Sequence, residues 1–480
     1  MGSTGLSRRI KFGYGLCTAA ESIPGNLLAV YFVFFLTDIV GVRPYIAGII
    51  FFVVVLWDAL IDPIIGGLSD YYVTENGRRL TWMKVSLIPL AAAIFLMFSP
   101  LNINNQVLET IFYAFAAIFV CSAYSSFVIP YFALSAEITP IHGERNILRF
   151  MAMIFYYPIL LVTTAGPMLI WEMAEEAGLS DREAWGITGA VFAILILIVC
   201  SIGLFMLRKS EKDSLQIALE NKTKKATERK KSKTYHFKTW KELFMIKSFR
   251  KIIVWIVVYM LGFSIINTII VYFLTYNISM SETGQAIFWV VYVAIIVCTL
   301  PFTTKLCNKF GKRPVTLATM ISPIVLGFIL FFTGINSYLV MYIYTAAIAI
   351  GSSCFFTFYI AYAHDCVEID EFRTGKRRDG SLSALASLAH QTGMALALPA
   401  TGIYLDFTGY NGMAETQTET AMRGILTLGT IIPAVLALIA FVFLWFYPVS
   451  KKKYNLLHEA LDKKKAGEEY STEGFEDILV

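Results

Sequence analysis

The sequence predicts an all-α membrane protein, with twelve transmembrane helices in two pseudo-symmetric six-helix bundles. Three observations carry that expectation: the length and number of apolar runs, the side on which Lys and Arg fall, and a basic segment near the middle of the chain. Only 16% of the 480 residues are charged while 57% are hydrophobic, against about a quarter charged in a soluble domain. A water-soluble fold has no means of hiding that much apolar surface. Aromatic residues, mostly Phe, make up 15%. They suit helices whose outer faces meet lipid and whose inner faces line a cavity for an amphipathic solute, although ordinary helix packing accounts for most of them.

A helix crosses roughly 30 Å of hydrocarbon with about 20 residues. Apolar runs of that size fall near 13–38, 44–70, 80–99, 106–135, 147–171, 186–208, 248–276, 283–306, 315–333, 337–366, 379–408 and 421–447. Backbone groups in lipid must pair within the chain, and runs this long and continuous exclude a closed barrel, so the spans are helices. With the N-terminus taken as cytoplasmic, 37 of the 40 Lys and Arg lie in cytoplasmic segments; only Arg43, Arg182 and Arg423 lie on the other side. That is the bias the cost of translocating cations imposes, and a wrong number of helices would scramble it after the first error. The expectation is a multi-pass protein of the plasma membrane, most simply a bacterial inner membrane, with both termini cytoplasmic. The N-terminus has no small-residue cleavage signal before its first apolar run, so that helix is expected to be retained. The seven cysteines imply neither a disulfide framework nor a CxxC metal site.

Fifteen of the basic residues lie between Arg208 and Lys251, including KTKKATERKKSK. The expected division is an N-terminal bundle at 1–207, a basic cytoplasmic linker at 208–247, a C-terminal bundle at 248–449 and a cytoplasmic tail at 450–480. The linker suits anionic lipid headgroups rather than nucleic acid. The tail, basic at its start and acidic at its end, reads as a solvated helix with a disordered end. Gly77-Arg78-Arg79 after the second span is echoed six spans later by Gly311-Lys312-Arg313. Such a repeat fits duplicated bundles of the kind used for alternating access.

The second span contains LWDALIDP, with Asp58 and Asp62 four residues apart and thus about 40° apart on one helix face. Two carboxylates there repel each other and carry a steep desolvation cost, so a cation, protons or a basic partner must neutralise them. Pro63 lacks an N–H and leaves the carbonyl of Ala59 as a third oxygen. Hard cations want several oxygens at one point, which makes the pair a candidate Na⁺ or H⁺ site; the alternative for Asp62 is a helix cap or loop ion pair. Glu21 lies in the first span with Ser22 and Asn26 nearby, candidates for substrate or proton binding. The fourth span offers Tyr124, Ser125 and Pro130, and the eleventh is broken by His390 and Gln391. After the tenth span, AHDCVEIDEFRTGKRR puts Asp365, Glu368 and Glu371 near Arg373 and Arg378, while the fourth-to-fifth loop offers Glu144, Arg145 and Arg149. Ion pairs among them could close the cytoplasmic side in one state and break in another; solvated loops are the bland alternative.

Taken together, YGLCTAAES, FFLTDIVG, LWDALIDP, IPYFALSAEITPIHGER, AHDCVEIDEFRTGKRRDGS and LAHQTGMALALPATGIYLDFTGY resemble the glycoside-pentoside-hexuronide:cation symporter family of the major facilitator superfamily, whose familiar member is the melibiose permease. The resemblance spans nearly all of the membrane portion. It implies cation ligands at Asp58, Asp62 and Ser125, substrate contacts at Tyr124 and Phe132, and a cytoplasmic gate of Arg145, Asp365 and Arg378, to which the charge pattern adds Glu368. The chain departs from the family in four places: Ile61 stands where sodium-using relatives often have Asn, Glu21-Ser22 replaces a Lys-Asp pair, Val128 a sugar-binding Asp and Gln391 a Lys. These departures argue against a galactoside held by two carboxylates and make proton coupling as natural as sodium. The implied activity is cation-coupled symport of a sugar or glycoside, with Na⁺ or H⁺ as coupling ion and no other cofactor. A sodium-dependent lysophospholipid symporter is the alternative cargo reading. A membrane-embedded transferase is the alternative of another class, and the sequence has no His-rich box, GxSxG or phosphate-binding loop to support an enzyme.

Overall fold

The computed structural model describes every residue except 1–5, 72–78, 102, 104, 140–141, 209–241, 336, 376–377, 415, 467 and 480. The described residues form helices and connecting turns, with no strand among them. Most of the predicted linker, including its basic run, and Gly77-Arg78 lie outside the described residues.

The first span is a broken helix rather than a rod. It comprises α1 (Arg8–Leu16), α2 (Ala19–Asn26) and two wide π turns at Leu27–Phe32 and Phe35–Ile39. Ser7 caps α1 by accepting from the Ile10 amide, and Pro24 falls inside α2, where its missing N–H disturbs the regular ladder. Five long helices follow: α3 (Pro44–Tyr71), α4 (Arg79–Met97), α5 (Gln106–Ile138), α6 (His142–Glu176) and α7 (Asp181–Leu207). The second half repeats the arrangement with α8 (Lys247–Tyr272), α9 (Glu282–Phe310), α10 (Lys312–Thr333), α11 (Tyr338–Thr374), α12 (Asp379–Phe407), and a last span split at Thr430 into α13 (Glu419–Gly429) and α14 (Ile431–Trp445). Ten of these segments are long and apolar enough to cross a membrane; the broken first span and α12 bring the number of spanning segments among the described residues to twelve. Two further helices, α15 (Lys451–Ala466) and α16 (Glu476–Leu479), close the chain.

Contacts group the chain into two compact units. One holds 1–228 together with 274–293 and 402–421; the other holds 229–273, 294–401 and 422–480. In the first unit α4 packs on α5 and α7, α3 on α5, and α1 on α6 and α7. In the second, α14 packs on α8 and α10, and α11 on α8 and α10. In each unit we call the end at which its described Lys and Arg gather that unit's basic face.

Small residues set how closely these helices approach, as is usual where lipid supplies no hydrophobic drive between helices. A Cβ on Gly203 of α7 would lie 2.8 Å from Cys17 Sγ and 2.9 Å from the Gly13 carbonyl, and one on Gly13 would lie 2.9 Å from the Gly203 carbonyl. Backbone meets backbone there, so neither neighbour can swing aside. Gly203→Val is therefore expected to lower stability by about 1–3 kcal/mol, the usual cost of overpacking. Thermal unfolding in detergent reads this directly, with the exposed Ile202→Val as the neutral control.

Candidate cation and substrate site

Asp58 and Asp62 sit on one face of α3, both partly buried. Ser125 of α5, buried, donates its hydroxyl to Asp58 Oδ1 at 3.0 Å, and lies beside Asp62 as well. One turn away, Trp57 Nε1 donates to Ser122 Oγ at 2.8 Å, so the carboxylate-bearing helix is pinned to α5 twice. Sequence reasoning missed the Trp57–Ser122 bond, whose signal was an indole in the residue before Asp58. A cavity of about 250 Å³ lined by Trp82, Ser86, Phe119, Ser122 and Ser126 adjoins this seam, room for several waters. The side chain of Pro63 lies outside the described ones.

The polar residues of the first span are tied to one another. Asn26 donates to the Ser22 carbonyl at 2.6 Å and to Ser22 Oγ at 3.3 Å, and Glu21 accepts from Thr18 Oγ1 at 3.3 Å. Tyr14 stacks on Tyr131 of α5 with ring centroids 4.5 Å apart, and the Tyr156 hydroxyl faces Asn26. Tyr124 stands within electrostatic reach of both Glu21 and Asp58, so the first unit brings the two acidic groups into one neighbourhood. Phe132 is half exposed, packed beside Tyr131. His390 and Gln391 belong to the other unit; His390 stacks on Tyr359 at 5.3 Å and meets Phe356 edge-on, while Gln391 is partly buried.

The expected gate residues are satisfied largely by partners the sequence did not single out. Asp365 is paired with Lys312 at 2.6 Å and accepts from the Tyr447 hydroxyl at 3.3 Å. Arg378 grips Asp370 with two parallel bonds, Nε to Oδ2 at 2.7 Å and Nη2 to Oδ1 at 2.5 Å, and reaches Glu242 at 2.7 Å. Glu368 is held by Tyr454 and His458. The side chain of Arg145 lies outside the described ones; its neighbour Glu144 pairs with Lys11 at 3.0 Å.

At the face opposite the basic loops a further carboxylate, Asp38, gathers hydroxyls from Thr37, Tyr276 and Tyr410. Around it the backbones nearly touch: a Cβ on Gly412 would meet the Thr37 carbonyl at 2.3 Å, and one on Gly402 the Pro44 carbonyl at the same distance. Segments 274–293 and 402–421 are thereby fastened to the first bundle. Tyr276 ties the first of these segments to Asp38, and Tyr410 the second. Tyr276→Phe is expected to loosen the 274–293 segment, raising its amide exchange by about tenfold for a lost charge-assisted bond, as hydrogen–deuterium exchange would show.

Twelve spanning helices in two six-helix sets, with ionisable groups inside the spans, define a multi-pass membrane transporter of the major facilitator fold. The chain belongs to the MFS/sugar transport protein family, matching it over residues 13–451. It is similar to the uncharacterized symporter YnaJ of Bacillus subtilis (strain 168), 27% identical over 467 residues covering 95% of each chain. It is also similar to the isoprimeverose transporter of Lactiplantibacillus pentosus, 24% identical over 465 residues, 95% of this chain and 92% of the other. Among solved structures, the nucleoside transporter NupG aligns with a TM-score of 0.63 at 13% identity, over 92% of this chain and 99% of that one, which speaks for the fold alone. The protein is a secondary transporter and not an enzyme.

Proposed function

We propose that the protein couples the downhill entry of Na⁺ or H⁺ to uptake of a sugar or glycoside, with Asp58, Asp62 and Ser125 as the cation site and the basic faces, with both termini, in the cytoplasm. The observation that carries this reading is the two-carboxylate cluster with a hydroxyl aimed into it, inside a membrane span. Two adjacent carboxylates in a water-poor place are tolerable only with a positive charge between them. Binding that charge removes their repulsion and lets α3 and α5 settle together, and a substrate that prefers the settled form binds more tightly. Glu21, Ser22, Asn26 and Tyr124 supply hydrogen-bonding groups for sugar hydroxyls on the first unit, and Phe132, His390 and Gln391 are the remaining proposed contacts. The similarity to an isoprimeverose transporter supports a glycoside as cargo.

A panel of xylosides, glucosides and glucuronides, screened by thermal shift of the purified protein with and without Na⁺ and across pH, is the direct test. A glycoside that raises the melting temperature only when Na⁺ is present, or only below a given pH, is the expected result, followed by gradient-driven uptake of that compound into vesicles. Stabilisation by lysophosphatidylcholine and by no glycoside would replace the sugar reading with the amphipathic one.

A further inference from the structure

The second unit carries a pair of facing thiols that the candidate transport site does not use. Cys307 lies in the last turn of α9 and Cys354 in the middle of α11, and both belong to that unit. They share one small apolar cluster with Val315 of α10, packed over by Leu306 and Phe358. The two side chains stand within hydrogen-bond reach of each other, and both are free thiols.

Their surroundings orient the sulfurs. Thr316 Oγ1 of α10 donates to the Lys312 carbonyl at 2.9 Å and accepts from the Tyr362 hydroxyl at 3.1 Å. Its single proton is thus spent, so in the 3.4 Å contact between Thr316 Oγ1 and Cys354 Sγ the thiol is the donor. The lone pairs of Cys354 Sγ are left for Cys307. Cys307 is 6% exposed and Cys354 0%, and Cys307 stands two residues before the exposed Lys309, so a small solute meets Cys307 first. Gly311, at φ +88, ends the helix four residues on and donates its amide to the Cys307 carbonyl at 2.8 Å. Closing a thiol pair to the roughly 2.05 Å of a disulfide is a movement that a residue at a helix end, beside a glycine turn, makes readily.

We propose that Cys307 and Cys354 are a reversible redox site, a dithiol that a hydroperoxide converts to a disulfide stapling the last turn of α9 to α11. Cys307 Sγ attacks one oxygen of the peroxide, the O–O bond breaks, and the thiol proton leaves with the water or alcohol so formed. Cys354 Sγ then attacks the sulfenic acid on Cys307; the S–S bond forms, the S–O bond breaks, and the second thiol proton leaves in water. The two thiols lose two electrons and the peroxide gains them. A dithiol reductant reverses the change by thiol–disulfide exchange. Stapled in this way, the turn at Gly311 loses freedom, and a redox change is read out as a restrained helix end.

The test uses the full chain in liposomes, carrying the exposed Arg208→Cys as a reference thiol. It is treated with hydrogen peroxide, unfolded in excess N-ethylmaleimide, digested and analysed by mass spectrometry. Cys307 and Cys354 should lose alkylation together and appear as one linked peptide pair lighter by two hydrogens, and dithiothreitol should restore both. Cys17 and Cys200, also close to each other but 0% exposed, should stay free. In Cys354→Ser, Cys307 should stop at a sulfenic acid that dimedone traps. Amide exchange over 306–316 should slow about tenfold in the oxidised form, as local opening becomes harder. Consumption of the reference thiol with Cys307 and Cys354 still free overturns the redox site, and so does equal linking of Cys17 to Cys200, which would show oxidation of an opened chain. A disulfide that leaves exchange over 306–316 unchanged overturns the staple.

Discussion

Asp58→Asn and Asp62→Asn are each expected to abolish gradient-driven accumulation of the transported glycoside while leaving downhill exchange measurable. Asn keeps the size and the oxygen of the side chain but cannot carry the negative charge that a cation or proton neutralises. The coupling between ion and substrate, typically 1–3 kcal/mol or about 5- to 150-fold in affinity, should therefore vanish: substrate affinity in the variants should no longer respond to Na⁺ or pH. Ser125→Ala should give a milder version, because Ser125 donates one bond to Asp58 and a single oxygen ligand is lost. Uptake into vesicles under an imposed Na⁺ or H⁺ gradient separates these outcomes. Full accumulation in both aspartate variants would move the coupling site elsewhere, and Glu21, the other acidic group in that neighbourhood, would become the first residue to change.

The spans were legible because hydrocarbon thickness fixes their length, and the carboxylate pair was legible because a spacing of four residues places two groups on one helical face whatever the rest of the fold does. Ser125 came from the resemblance; its bond to Asp58 joins residues 67 apart in sequence. Asp38 was invisible for the opposite reason. It ends a span, where an acid needs no explanation, and its tyrosine partners stand 238 and 372 residues away with no pattern to announce them. The break of the first span into short helices and wide turns is likewise not recorded in composition: Pro24 removes one bond inside α2, while the break before Ala19 and the wide turns as far as Ile39 lie away from it.

The tail was misread on charge. Its buried positions Leu457, Ala460 and Leu461 do follow the i, i+3, i+4 stripe of an amphipathic helix, but the six lysines of the tail outweighed three small apolar contacts. Asp370 was hidden by a turn. The residues HDCVEIDEF suggest one row of acids, yet Gly375, with φ +68, ends α11 in a left-handed conformation that glycine adopts cheaply. Arg378, eight residues on, meets the acid that no helical spacing would have matched to it.

That pair yields the largest stability effect expected in this protein. Asp370 is 2% exposed and Arg378 8% at their side chains, and the guanidinium meets the carboxylate through two parallel bonds. Arg378→Met leaves a buried carboxylate with no counter-charge, which costs about 3–5 kcal/mol; it should be seen as a sharp fall in the temperature at which the detergent-solubilised protein aggregates. Asp370→Asn in the same background removes the stranded charge and should restore part of the loss. Replacing both by apolar residues, Asp370→Leu with Arg378→Met, should restore more, since a buried ion pair is commonly no more stabilising than well-packed apolar groups. Arg378→Lys should fall between, because an ammonium keeps the charge but cannot make the forked contact or hold Glu242 at the same time. If Arg378→Met melted like the parent protein, the pair would be exposed to water and would contribute no more than a surface bridge. In that event its role would lie with Glu242 and the gate, where the same variant would still change transport without changing the melting temperature.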